Sequence, residues 1–158
     1  MQGSSVEDGA VDALLVASRA LVAVAARSLA DVDDITLSQY RALIVLRNHP
    51  GIAVTDLAEA LDVHPSTATR LCDRLVRKHL IRRAQGTQDR RSTELHLAAV
   101  GRRLVDRVTE RRRRDLAAIV SRLPDDVRAR AVEALTAFAE AAGEPAGPDL
   151  FGWEVGAP

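Results

Sequence analysis

Between residues 11 and 29 apolar side chains return every three or four positions: Val11, Leu14, Leu15, Leu21, Val22, Ala25 and Leu29, with Ser18 in the same row. That spacing predicts one helix with a single apolar stripe, ending before Asp31-Val32-Asp33-Asp34. Thr36-Leu37-Ser38-Gln39 has the spacing of a capping box, and Tyr40, Leu43, Ile44 and Leu46 or Arg47 follow at helical period. Asn48-His49-Pro50-Gly51 stops this second helix. Thr55 is placed to cap a short third one over residues 56–61, with Leu57, Ala58 and Leu61 inward. Asp62-Val63-His64 then makes a three-residue turn. Pro65 suits the first position of a fourth helix, where its missing N–H would have no partner anyway.

The fourth helix has two unlike sides. Ala68, Leu71, Cys72, Leu75 and Val76 form the inward stripe, which leaves Ser66, Thr67, Thr69, Arg70, Arg74, Arg77 and Lys78 on the outer and flanking faces. Residues 80–83 and 93–97 read as two short strands, the second alternating Thr93, Leu95 and Leu97 against Glu94 and His96. The loop Gly86-Thr87-Gln88-Asp89-Arg90-Arg91-Ser92 joins them. A long helix starting near Ala99 carries Leu104, Val105, Val108, Leu116, Ile119, Val120 and Leu123. Pro124-Asp125-Asp126 begins a last helix with Val127, Ala131, Leu135, Phe138 and Ala142 inside and Gly143 as its cap. The expected fold is mainly α with a small two- or three-stranded β-wing. Residues 144–158, rich in Pro and Gly, are expected to be a poorly ordered tail.

Composition narrows the class without changing that outline. At 158 residues, 47% hydrophobic and 28% charged, the chain is sized for one globular unit, and 3% aromatic content leaves Leu, Val and Ala to fill the core. Residues 11–26 are interrupted by Asp12, Ser18 and Arg19, so they are expected neither to span a membrane nor, lacking a preceding basic region, to be a signal peptide. The single Cys72 forms no internal disulfide, which makes the cytoplasm the expected compartment.

Zero net charge conceals a strong segregation. Residues 70–114 hold 15 basic and 5 acidic side chains, net +10, while the segments before and after carry −5 each. All but one of the basic residues in that block are arginine, the side chain suited to bidentate phosphate and base contacts. A basic block between acidic flanks predicts a local polyanion-binding face. A short helix, a tight turn and a longer helix with a polar face also match the helix-turn-helix, whose second helix enters the DNA major groove. Ser66, Thr67 and Thr69 offer hydroxyls there, and Arg70 is long enough to reach guanine O6 and N7. Arg74, Arg77 and Lys78, further along, are expected at phosphates. The loop arginines suit a narrow minor groove.

The segment from about Ile35 to Leu104, which includes the run "DLAEALDVHPSTATRLCDRLVRKHLIRRAQGTQDRRSTELHLAAVGRRL" from Asp56 to Leu104, resembles the winged helix-turn-helix of the MarR family of transcriptional regulators. The most specific elements are the Asp-x-Arg of the wing, here Asp89-Arg90-Arg91, and the Gly101-Arg102 pair near a helix start. The resemblance implies that Arg91 probes the minor groove, that Asp89 aims it and that Arg90 adds a phosphate contact. It implies a DNA-binding region over 35–98, with Pro65 and Ser66 approaching DNA. Dimerisation helices fall in 1–34 and 99–143. A homodimer would bind a pseudo-palindromic operator in double-stranded DNA and, as a repressor, respond to a small-molecule effector. Two departures stand out: His64, a poorer N-cap than the family's usual Ser or Asn, and Ala98-Ala99-Val100-Gly101, which lacks the hydroxyl of the more frequent Thr-Glu-Ala-Gly. The peroxide-sensing branch has a cysteine near its N-terminus that this chain lacks.

Other chemistries find little support. The four histidines, His49, His64, His79 and His96, have no close ligand spacing, so neither metal nor cofactor is expected. Cys72 falls on the inward stripe and reads as a small buried apolar residue. Neither a glycine-rich phosphate loop nor a nucleophile elbow is present, so no enzyme is expected. The run Arg111-Arg112-Arg113-Arg114 exceeds one helical turn and reads as a solvated stretch, with salt bridges across a dimer interface as the rival reading. The rival to a DNA-binding regulator is a helical interaction module that holds an acidic protein partner on the basic block.

Overall fold

The computed structural model of the chain describes residues 2–30, 32, 35–86 and 93–143, with side chains from Ser5 onward. Asp89, Arg90 and Arg91 of the loop and the tail 144–158 lie outside the described residues. In chain order the elements are α1 (Gln2–Leu29), α2 (Leu37–Asn48), β1 (Ile52–Ala53), α3 (Val54–Ala60), α4 (Pro65–Arg77), β2 (Ile81–Gln85), β3 (Thr93–Leu97), α5 (Ala99–Val120) and α6 (Asp125–Ala141).

The capping box of α2 forms as its spacing predicts. Thr36 Oγ1 accepts from the Gln39 N–H and Gln39 Oε1 accepts from the Thr36 N–H, both at 3.2 Å. Thr36→Ala removes one of the two bonds and is expected to cost about 1 kcal/mol, read as a lower midpoint in urea unfolding.

Thr55 does not cap α3. The helix starts at Val54 behind Ala53, which makes no side-chain cap bond, and the Thr55 hydroxyl turns to Asp56 Oδ1 at 3.2 Å. The cause is β1, two residues that pair antiparallel with β3 (Ile52↔Leu95, Ala53↔Glu94) and run straight into the helix. Tertiary pairing therefore sets this boundary. β2 is likewise displaced from residues 80–83. The Leu80 N–H closes the end of α4 on the Leu75 carbonyl (3.0 Å), and pairing with β3 then carries the strand from Ile81↔Leu97 out to Gln85↔Thr93. The sheet order is β1-β3-β2.

One core lies under this sheet and helices α2–α5. It contains Tyr40, Leu43 and Leu46 of α2, Leu57 of α3 with Leu61 just beyond it, Cys72 and Leu75 of α4, and Leu95 and Leu97 of β3. The first half of α5 closes it with Leu104, Val105 and Val108. Polar contacts fasten α2 to α5 at the rim. Tyr40 Oη lies 3.1 Å from Thr109 Oγ1, Arg47 Nη1 lies 2.7 Å from Asp106 Oδ1, and the Arg112 guanidinium sits 5.4 Å from the centre of the Tyr40 ring. Arg112 is thus a half-buried cation over an aromatic face rather than part of a uniformly solvated arginine run.

The terminal helices depart most from expectation. α1 packs on α5 through Val24 and Ser28, each 1% exposed, and through Arg27–Asp115 at 3.6 Å. The stripe members Val11, Leu15, Leu21 and Val22 stand exposed, as do Leu135 and Phe138 of α6, which has no buried residue. Periodicity shows that a stripe needs cover, but not which element provides it. The apolar part of α1 also extends beyond residues 11–26. α1 starts well before Val11, and Ser5–Leu29 is long and apolar enough to cross a membrane by length and composition. Gly143 does end α6, at φ +73, with its N–H bonded to the Glu140 carbonyl.

Candidate nucleic-acid interface

α3 and α4 are joined by a turn in which Asp62 takes φ 53, a left-handed conformation that a short polar side chain tolerates. The Val63 N–H bonds back to the Ala58 carbonyl at 3.0 Å, and Leu57, Ala58 and Leu61 hold the turn to the core. α4 follows packed against α3, with Ala68, Cys72 and Leu75 essentially fully buried. Its opposite side is exposed at Pro65, Ser66, Thr67, Thr69, Arg70, Arg74 and Arg77. Lys78, half-buried, is the C-cap residue just past the last turn. Seven of the eight residues assigned to this helix from the sequence therefore share a solvent-facing surface, and the eighth borders it.

Three features of this end of the molecule were not anticipated. His64 is a working N-cap: its Nδ1 accepts from the Ser66 N–H at 3.3 Å and lies 2.9 Å from Ser66 Oγ. The expectation of a poorer cap than Ser or Asn rested on residue type, and here an imidazole nitrogen stands in for the hydroxyl oxygen. Arg70 folds back on the same turn, Nε donating to the Ser66 carbonyl at 3.2 Å and Nη2 to Ser66 Oγ at 3.4 Å. Arg83 of β2 pairs with Asp73 of α4 at 2.8 Å and so ties the wing to the helix beside it. Arg83 and the exposed Arg82 belong to the basic block, the one sequence feature that pointed to them.

At the far end of the wing, α5 begins without a side-chain cap, as Ala98 predicts. Gly101 lies against the first residues after α4, where a Cβ would stand 2.1 Å from the Leu80 carbonyl oxygen. Cys72 is fully buried, and burial pushes its thiol pKa up, with the Arg83 charge opposing and the Asp73 charge adding to the shift. A shielded, protonated thiol is a poor nucleophile. No three His, Cys, Asp or Glu side chains come together as a metal site among the described residues.

A helix-turn-helix followed by a two-stranded hairpin, with a third short strand closing the sheet, is the winged-helix architecture. The family model of the MarR family matches residues 35–93. Over 110 residues, 70% of this chain and 71% of the relative, the sequence is 32% identical to the HTH-type transcriptional repressor MdtR of Bacillus subtilis (strain 168). The crystal structure of RV1404 from Mycobacterium tuberculosis superposes with a TM-score of 0.81 at 47% identity, covering 87% of this chain and 95% of that one. MepR of S. aureus has been solved as a mutant bound to an oligodeoxyribonucleotide (TM-score 0.62, 26% identity, 84% of this chain, 96% of that chain). It has also been solved bound to ethidium bromide (TM-score 0.62, 27% identity, 84% of this chain, 95% of that chain). The chain belongs to the MarR family. It is a transcriptional regulator and not an enzyme.

Proposed function

We propose that the chain is a cytoplasmic, ligand-responsive repressor that binds a pseudo-palindromic operator as a homodimer. The observation that carries this reading is the two-sided α4, buried at Ala68, Cys72 and Leu75 and exposed at Ser66, Thr67, Arg70 and Arg74. In it, the hydroxyls and Arg70 read base edges in the major groove while Arg74, Arg77 and Lys78 neutralise phosphates. Arg91 enters the flanking minor groove, aimed by Asp89, and Arg90 meets the backbone. MepR bound to an oligodeoxyribonucleotide and the repressor MdtR support this assignment by likeness.

The uncovered apolar rows argue for the dimer. Val11, Leu15, Val22, Ile119, Leu135 and Phe138 are each 40% exposed or more, on helices at both ends of the chain. A second copy would cover them, and two recognition helices would then address half-sites about one DNA turn apart. For the effector, a cavity of about 540 Å³ opens between the end of α1 and α5, lined by Ser28, Val32, Arg107 and Arg111 among others. Its size falls within the range of small-molecule sites, and it adjoins the Arg47–Asp106 link between α2 and α5. A ligand there that prefers one spacing of the two DNA-binding units shifts operator affinity.

Arg91→Ala is expected to weaken binding to an A/T-flanked operator by about 1–3 kcal/mol and to lower the slope of log affinity against log salt by about 1, measured by gel shift at several salt concentrations. Equal affinity for both proteins would overturn the wing assignment. The rival module for an acidic partner predicts the same affinity for a selected site and for random duplex.

A further inference from the structure

His64 is bonded in a way that fixes which of its ring nitrogens carries the proton. The Ser66 backbone N–H can only donate, and it points at Nδ1 from 3.3 Å, so Nδ1 is the unprotonated nitrogen. The Ser66 hydroxyl, 2.9 Å from the same atom, must then donate as well, which leaves its oxygen to accept from Arg70 Nη2 at 3.4 Å. In the neutral ring the proton therefore resides on Nε2. Nδ1 and Nε2 lie on opposite sides of one ring carbon, so pinning Nδ1 against the first turn of α4 directs the Nε2–H away from the helix. Nε2 has no hydrogen-bond partner among the described residues, and His64 is exposed.

We propose that His64 is a specificity-determining residue, whose Nε2–H donates to a base edge in the major groove at one position of each half-site. This rests on the reading of α4 as the recognition helix. N-terminal residues of such a helix are those that reach bases, and His64 sits immediately before the first turn that holds Ser66, Thr67 and Arg70. A lone donor is accepted by guanine O6 or N7, adenine N7 or thymine O4. Cytosine presents only its N4 amino group and therefore repels it. The preference is thus a selection against cytosine at the contacted base. Ser66 links this donor to Arg70, so the two cationic or donor groups at this end are held as one unit rather than as two independent side chains.

The test selects sites from a random duplex library with the wild type, His64→Ser and His64→Asp. Ser and Asp both retain a side-chain oxygen for the Ser66 N–H, so α4 keeps its cap, and circular dichroism checks that each variant is folded. The wild type is expected to discriminate against cytosine at one half-site position by about tenfold. His64→Ser should lose that discrimination while the other positions stay unchanged, and His64→Asp, which offers only acceptors, should reverse it toward cytosine. If the wild type selects a defined site and both variants select the same site with the same preference at every position, His64 does not read a base. A uniform loss of affinity across all sequences for the neutral variant His64→Ser, with no change at any one position, contradicts the proposal too, since it marks a phosphate contact. Failure of the wild type to select any site would instead overturn the DNA-binding reading itself.

Discussion

A chain carrying Leu135→Asp and Phe138→Asp is expected to sediment as a monomer and to bind a palindromic operator at least about 100-fold more weakly than the wild type. Both side chains are more than half exposed in the single chain, and no residue of α6 is buried, so the substitutions remove no intrachain core contact. In the proposed dimer they place two carboxylates on each copy into an apolar interface, where unpaired charge is strongly disfavoured. Operator affinity then falls because the second half-site is no longer reached at high effective concentration, an advantage of roughly 10²–10⁴ when two binding units are linked. Analytical ultracentrifugation and gel shift on one preparation separate the two effects. A dimer that persists with normal affinity would move the interface away from α6.

Gly101→Ala is expected to lower stability by about 3 kcal/mol, a drop of about 6–12 °C in melting temperature for a chain of this size. The added Cβ would stand 2.1 Å from the Leu80 carbonyl oxygen and 3.0 Å from Leu97 Cδ1. That oxygen cannot yield freely, because it accepts the Ala98 N–H at 2.9 Å and so joins the end of α4 to the start of α5. Relief requires α5 to move away from the sheet, which disturbs Leu104, Val105 and Val108 in the core. Operator binding should weaken with stability, since the same junction orients α4 against the helices proposed to dimerise. A melting temperature unchanged in a thermal melt would mean that α5 tolerates the displacement.

Elements whose residues face one protein core were legible in the sequence, and those shaped by non-local partners were not. The stripe Ala68, Cys72, Leu75 identified α4 and its outer face, and the Thr36–Gln39 spacing identified the start of α2, because both depend on neighbours within one or two turns. β1 escaped notice because two residues carry no period, and its existence depends on β3, some forty residues away. Thr55 was misassigned for the same reason. α6 had a clear stripe, yet Leu135 and Phe138 face solvent in the single chain, since a stripe shows only that some surface must cover it. Arg112 over Tyr40 and Arg83 with Asp73 needed the fold to bring them together. Along α4, the outer residues followed from helical period, whereas the cap by His64 depended on a ring orientation that residue type does not encode.

In the proposed function two copies of the helix-turn-helix read a symmetric site in double-stranded DNA. Selection of bound duplexes from a random library at near-physiological salt tests it most directly. Enrichment of a pseudo-palindrome is expected, with half-sites centred about one helical turn, roughly 10 base pairs, apart and A/T-rich sequence where the wings fall. Recovery of no consensus, with the same affinity for selected and unselected duplex, would contradict it.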